Sequence, residues 1–176
     1  MKKMDDAKLM RDFFGYSVYK NMNMIEFDNW VIHEFLTSLL ISFLRVDKKG
    51  FLSIRADYPV GFKLYESGFE ELKALAENLL FVIGIFPESL TNTWRRRAVG
   101  IDYYIDVEIS IMAKVAVASP VWREVAVNFR DTLLTLNGIR NQIENFTSPD
   151  FAVLSDTIKA FKAIEDNNFL RQRFRH

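Results

Sequence analysis

The chain contains no cysteine. That excludes disulfides, thiolate nucleophiles and cysteine-ligated metals at the outset. Glycine and proline are sparse, with seven and four copies in 176 residues, which favours helices over a turn-rich all-β architecture. Histidine occurs twice, as His33 and His176. His33-Glu34 does not open a zinc-binding H-E-x-x-H motif, because position 37 is Thr. Neither sign of charge is in excess, with 23 Lys+Arg against 23 Asp+Glu. A neutral chain has no overall attraction to nucleic acid or to an anionic membrane, so no specific nucleic-acid partner is expected. Weak charge repulsion instead favours self-association. Long hydrophobic runs are also missing. The longest uncharged apolar stretches, 35–44 and 78–87, are about half the ~20 residues a spanning helix needs, so no transmembrane segment is predicted. The opening MKKMDDAKLMRDFF alternates charges without an apolar centre, which predicts no secretory signal and a soluble, cytoplasmic protein. Glycine-rich phosphate loops and the Gly-x-Ser-x-Gly elbow are absent. Without cysteine or a partnered histidine a hydrolytic triad is hard to assemble. No catalytic residue, cofactor or metal site is therefore expected.

What is present is core-forming material. Hydrophobic residues make up 49% of the chain, and 16 of them are Phe. One domain of this length can bury a real core, and aromatics supply much of its area. The expected fold is all-α, a single-domain helical bundle of five to seven helices spanning 1–176, with a weakly patterned arm at 1–27 and a basic tail at 169–176. In the arm, Leu9, Phe13 and Tyr16 suggest one stripe. Asp28 is the expected cap of a central helix at 28–46, in which Val31, Phe35, Leu39 and Phe43 recur beside Ile32, Leu36, Leu40 and Leu44. Residues 51–58 alternate like a strand but show no obvious partner, so strand and extended connection both stay open. Ser67-Gly68-Phe69-Glu70 is a capping-box pattern opening a helix that should end near Phe86, before Pro87. Residues 101–118 satisfy both a strand period at 105–111 and a helical face. Eighteen residues without Gly or Pro favour the helix. Ser119-Pro120 opens the next helix, expected to run to Asn137-Gly138 as a stop or kink. Ser148-Pro149 opens a last helix at about 150–165.

The segment from Leu72 to Met112 resembles an uncharacterised bacterial family of small helical proteins. The resemblance rests on Phe81, Gly84, Phe86-Pro87-Glu88-Ser89-Leu90, Arg95-Arg96, Asp102-Tyr103-Tyr104 and Ser110. The chain departs from the family pattern at Glu77-Asn78, which replaces Gly-Asp, at Glu108, which replaces Gly, and at Met112, which replaces Tyr. The resemblance covers about a quarter of the chain. It implies a helical reading of 101–118 and no activity.

The elbow at 87–104 is the candidate contact surface. Trp94, Tyr103 and Tyr104 are its expected aromatic anchors, and Arg95, Arg96 and Arg97 its polar rim. Trp, Tyr and Arg dominate binding hot spots. The function this suggests is a non-enzymatic protein-interaction or regulatory module, with a protein partner or a second copy of itself. The alternative is a bundle that binds a small hydrophobic or acidic ligand, with the arginines at the pocket mouth. A weaker third reading is a metal-dependent enzyme that uses Asp102, Asp106 and Glu108 as its metal-binding carboxylates. His33 is expected to be a hydrogen-bonded structural residue.

Overall fold

The structure, a computed structural model, describes residues 2–46, 52–54, 68–85, 87–91 and 94–144. The expected last helix at 150–165, the basic tail at 169–176 and the Ser67 cap lie outside the described residues. The described chain folds as the expected all-α bundle with one short strand pair, in the order α1 (Lys2–Met24), α2 (Trp30–Phe43), β1 (Leu44–Val46), β2 (Leu52–Ile54), α3 (Phe69–Ile85), α4 (Glu88–Thr91), α5 (Trp94–Ala116), α6 (Pro120–Val127) and α7 (Phe129–Glu144). None of the described helices is long and apolar enough to cross a membrane.

The arm expected to be weakly patterned is a full helix. In α1 the buried face is Phe14, Ser17, Val18, Asn21 and Met22, while Tyr16 points outward. Two of those five are polar, which is why the apolar stripe is faint. Asn21 resolves its own burial: its amide donates to the Ser17 carbonyl at 2.8 Å and to Gln142 Oε1 on α7 at 3.0 Å. Gly138 of α7 faces the same amide so closely that a Cβ there would collide with it. Asn137-Gly138 is therefore not a helix stop. α7 runs through it to Glu144, and the glycine serves close helix packing.

Asn29, one residue later than expected, caps α2 by accepting from the Ile32 amide at 3.1 Å. Ile32, Leu36, Leu39 and Leu40 are buried, whereas Val31 is exposed, so the core stripe is narrower than the periodicity suggests. The helix ends at Phe43 rather than 46. Leu44 turns extended and starts a short antiparallel ladder, Leu44 to Ile54, Arg45 to Ser53 and Val46 to Leu52. Residues 52–54 thus do have a strand partner, supplied by the chain leaving α2.

The centre of the bundle is α3, which packs against α2, α5 and α7. Every residue from Leu79 to Ile85 is buried, and a helix apolar all round belongs in the middle. It ends at Ile85, as Pro87 requires. Residues 101–116 are helical as expected. Ser119 caps α6 by accepting from the Trp122 amide at 3.3 Å, with Pro120 at the first helical position. The helix expected over 120–137 breaks at Asn128. There the side-chain amide donates to the Glu124 carbonyl at 2.9 Å, and the Asn128 carbonyl accepts from the Thr132 amide at 2.9 Å. Asn128 so closes one helix and opens the next.

Candidate binding site

The elbow is built differently from its sequence. Trp94, Arg95, Arg96 and Arg97 have helical backbone at the start of α5, and their side chains lie outside the described part of the structure. The bend falls at Gly100, with φ 78° and ψ 165°, a conformation essentially restricted to glycine. Tyr103 and Tyr104 follow the bend and contact each other edge-to-face, with ring centroids 5.5 Å apart. Successive helical residues point about 100° apart, and the pair divides accordingly. Tyr103 is 49% exposed and Tyr104 only 8%. Tyr104 is a core residue, so it is no open anchor.

Below the bend, Glu88 and Leu90 have structural roles. Leu90 is buried, and the Glu88 carboxylate pairs with the Arg140 guanidinium of α7. Arg140 lines a cleft of about 380 Å³ together with Ile83, Pro87, Ile101, Ile105 and Leu133. Its charge is already met by Glu88. An acidic ligand entering there would compete with a carboxylate that the fold supplies.

The three carboxylates considered for a metal do not converge. Asp102 and Asp106 are exposed, while Glu108 is fully buried. No group of three metal-ligating side chains forms among the described residues. Glu108 lies four residues after Tyr104 on the core side of α5, and neither of its oxygens has a hydrogen-bond partner among the described residues. Burial pushes its carboxyl well above the usual carboxylate range. His33 behaves as a structural residue. Its Nε2 donates to the Gly15 carbonyl of α1 at 2.9 Å, and its ring stacks on Trp30 at 4.8 Å. The buried threonines 37, 132 and 135 donate to carbonyls four residues earlier, so their hydroxyls are committed to their own helices.

The structure brings together a second set of residues that the sequence does not single out. A cleft of about 510 Å³ opens where α2, α3 and α6 meet. Phe35 and Trp122 meet edge-to-face at 5.1 Å inside it, and Trp30, Glu34, Lys73 and Glu77 also line it. Trp122 is buried, but Trp30 is 70% exposed at the start of α2. An indole left in water beside an apolar cleft is unusual for a residue with no role outside the core. Glu77 is half-buried. Desolvation raises its pKa, Lys73 four residues earlier partly offsets this, and Glu70 adds to it. A hydrogen bond from the Asn29 amide to Glu124 Oε2, 3.1 Å, ties α2 to α6 beside the cleft. The only local signals of this site are the Lys73–Glu77 spacing and the off-stripe position of Trp30. That residues 30 and 122 line one cleft is a tertiary fact.

Compared with known protein families, with curated proteins and with solved structures, the chain matches none. The fold and the cleft define an all-helical bundle with a ligand-sized surface site.

Proposed function

We propose that this chain is a non-enzymatic binding module, acting in the cytoplasm, whose recognition site is the cleft between α2, α3 and α6. One observation carries the reading: Trp30, a large apolar side chain, stands 70% exposed at the rim of a cleft floored by Phe35 and Trp122. Pockets of 300–1,000 Å³ with mostly apolar walls and a few charged groups are the usual form of small-molecule sites. The catalytic alternative lacks support: His33 is held by Gly15, and the buried Glu108 is turned away from the exposed Asp102 and Asp106. Tyr103 offers a separate exposed ring near the bend, a second contact for a protein partner.

The test is a fragment screen followed by the three indole N–H signals of the full chain, from Trp30, Trp94 and Trp122. Trp30→Phe and Trp94→Phe assign two signals, and the third follows by elimination. Fragments that use the cleft move the Trp30 and Trp122 signals and leave Trp94 in place. A screen of cationic, neutral and anionic fragments that moves neither signal overturns the reading.

A further inference from the structure

We propose that the α2–α3–α6 cleft selects a small organic cation, an alkylammonium compound, over neutral and acidic molecules of the same size. This rests on the binding-module reading and names its ligand class.

The walls carry the first argument. The face of an indole is the strongest cation–π partner among side chains. His33 stacks on Trp30 with the two rings inclined by 12°, which holds the indole in place while 70% of the residue stays open. Phe35 adds a partly buried ring to the same cleft, backed edge-to-face by the buried Trp122. A purely apolar ligand would be served as well by leucines. An open indole face beside carboxylates is the chemistry that recognises an alkylated ammonium group, and the Trp30 face not covered by His33 supplies it.

Charge carries the second argument. The whole chain is neutral, yet the three helices that form the cleft are not. They hold five acidic residues, Glu34, Glu70, Glu71, Glu77 and Glu124, against two basic ones, Lys73 and Arg123. Arg123 is turned to the end of α5, where it donates to the Ala116 carbonyl at 2.9 Å and the Val117 carbonyl at 3.5 Å. Glu34, Glu77 and one lysine, Lys73, line the cleft, and Glu34 Oε1 also lies 3.7 Å from His33 Nδ1. Glu77 loses more by desolvation than Lys73 restores. A further cation in the cleft compensates that deficit. An anion would deepen it, and a neutral molecule would leave it unchanged. The size of the cleft, about 510 Å³, suits a free small molecule.

Choline and its neutral isostere 3,3-dimethylbutan-1-ol separate charge from shape. Each is titrated into the full chain while the Trp30 and Trp122 indole signals are followed. Choline is expected to bind about tenfold tighter than the alcohol, in keeping with cation–π attraction. Glu77→Gln is expected to weaken choline about threefold or more and to leave the alcohol unchanged, because the lost attraction acts only on charge. Trp30→Leu should keep the melting temperature and abolish the preference for choline. Equal binding of the two probes, or a preference for anionic fragments, overturns the cation assignment and leaves the binding site standing. If no fragment of any charge moves either indole signal, both readings fall. A trimethyllysine peptide binding tenfold or more tighter than choline would overturn the assignment to a free small molecule.

Discussion

Arg140 on α7 reaches across the bundle to Glu88 on α4, 52 positions earlier, and forms an ion pair that is mostly out of water on both sides. The pair fixes the turn after the central helix to the last described one. Removing one partner of such a pair leaves the other charge buried and costs about 3–5 kcal/mol, while replacing both with apolar residues is often neutral. Arg140→Leu and Glu88→Leu should each lower stability by about that amount, and the double variant should recover most of it. Urea unfolding of the four species gives the coupling directly. Additive losses would show that the two side chains stabilise the fold independently.

Glu108 is a carboxyl in the core without a hydrogen-bond partner among the described residues. Its folded pKa is raised by burial above the unfolded value near 4.5. In the window above that unfolded value the native state binds more protons than the unfolded state, so stability falls as pH rises. The contribution is fully present below the unfolded pKa and is lost as pH passes through the folded one. Glu77, raised in the same direction but half-exposed, adds a smaller slope of the same sign. Glu108→Met should therefore stabilise the protein at neutral pH by about 1–3 kcal/mol, the penalty of an unsatisfied buried polar group, and should flatten the pH profile. Melting temperatures of both proteins across the pH range above the unfolded value decide it. Parallel curves would mean that the carboxyl is satisfied in solution.

Gly84 and Leu136 mark a close approach of α3 and α7: a Cβ on Gly84 would run into the Leu136 side chain. Gly84→Ala should cost about 1–3 kcal/mol through overpacking. Leu136→Ala in the same chain should relieve the clash, so that the double variant is more stable than the sum of the singles predicts. Gly68→Ala, where nothing lies within 4 Å, is the control and should stay near wild type. Chemical unfolding at one temperature is sufficient.

Trp30, Tyr103 and Tyr104 separate recognition from packing. Tyr104→Ala empties a core position and should cost about 3–5 kcal/mol, as for other large buried aromatics. Trp30→Ala and Tyr103→Ala remove exposed rings and should change stability by about 0.5 kcal/mol or less. A loss of stability on Trp30→Ala as large as that of Tyr104→Ala would move Trp30 into the core and remove it from the site.

Several elements are legible in the sequence because their cause is local. Ser119-Pro120 supplies both a hydroxyl acceptor and a fixed φ within two residues, and α6 starts there. Pro87 ends α3 by steric exclusion at the preceding residue. Residues 101–116 are a helix, because a strand of that length is rare without a turn residue to break it. Other elements mislead for equally specific reasons. The first helix hides its core face because Ser17 and Asn21 lie on it. Asn137-Gly138 has the composition of a stop, but the glycine is there to admit Asn21. The strand at 52–54 has a partner that the helical periodicity of 35–44 conceals.

By itself the sequence determined the class of object: an all-α chain without cysteine chemistry, with the end of α3 and the start of α6. Capping, proline geometry and hydrophobic period act over a few residues, so they can be read along the chain. Only the tertiary structure decided which rings face water and which charges meet. It buried Tyr104 and opened Tyr103, paired Glu88 with Arg140, buried Glu108 in the core, and placed Trp30 and Trp122 in one cleft. Those outcomes depend on which helix faces pack together, and residues separated by about half the chain have no local signal that announces their contact.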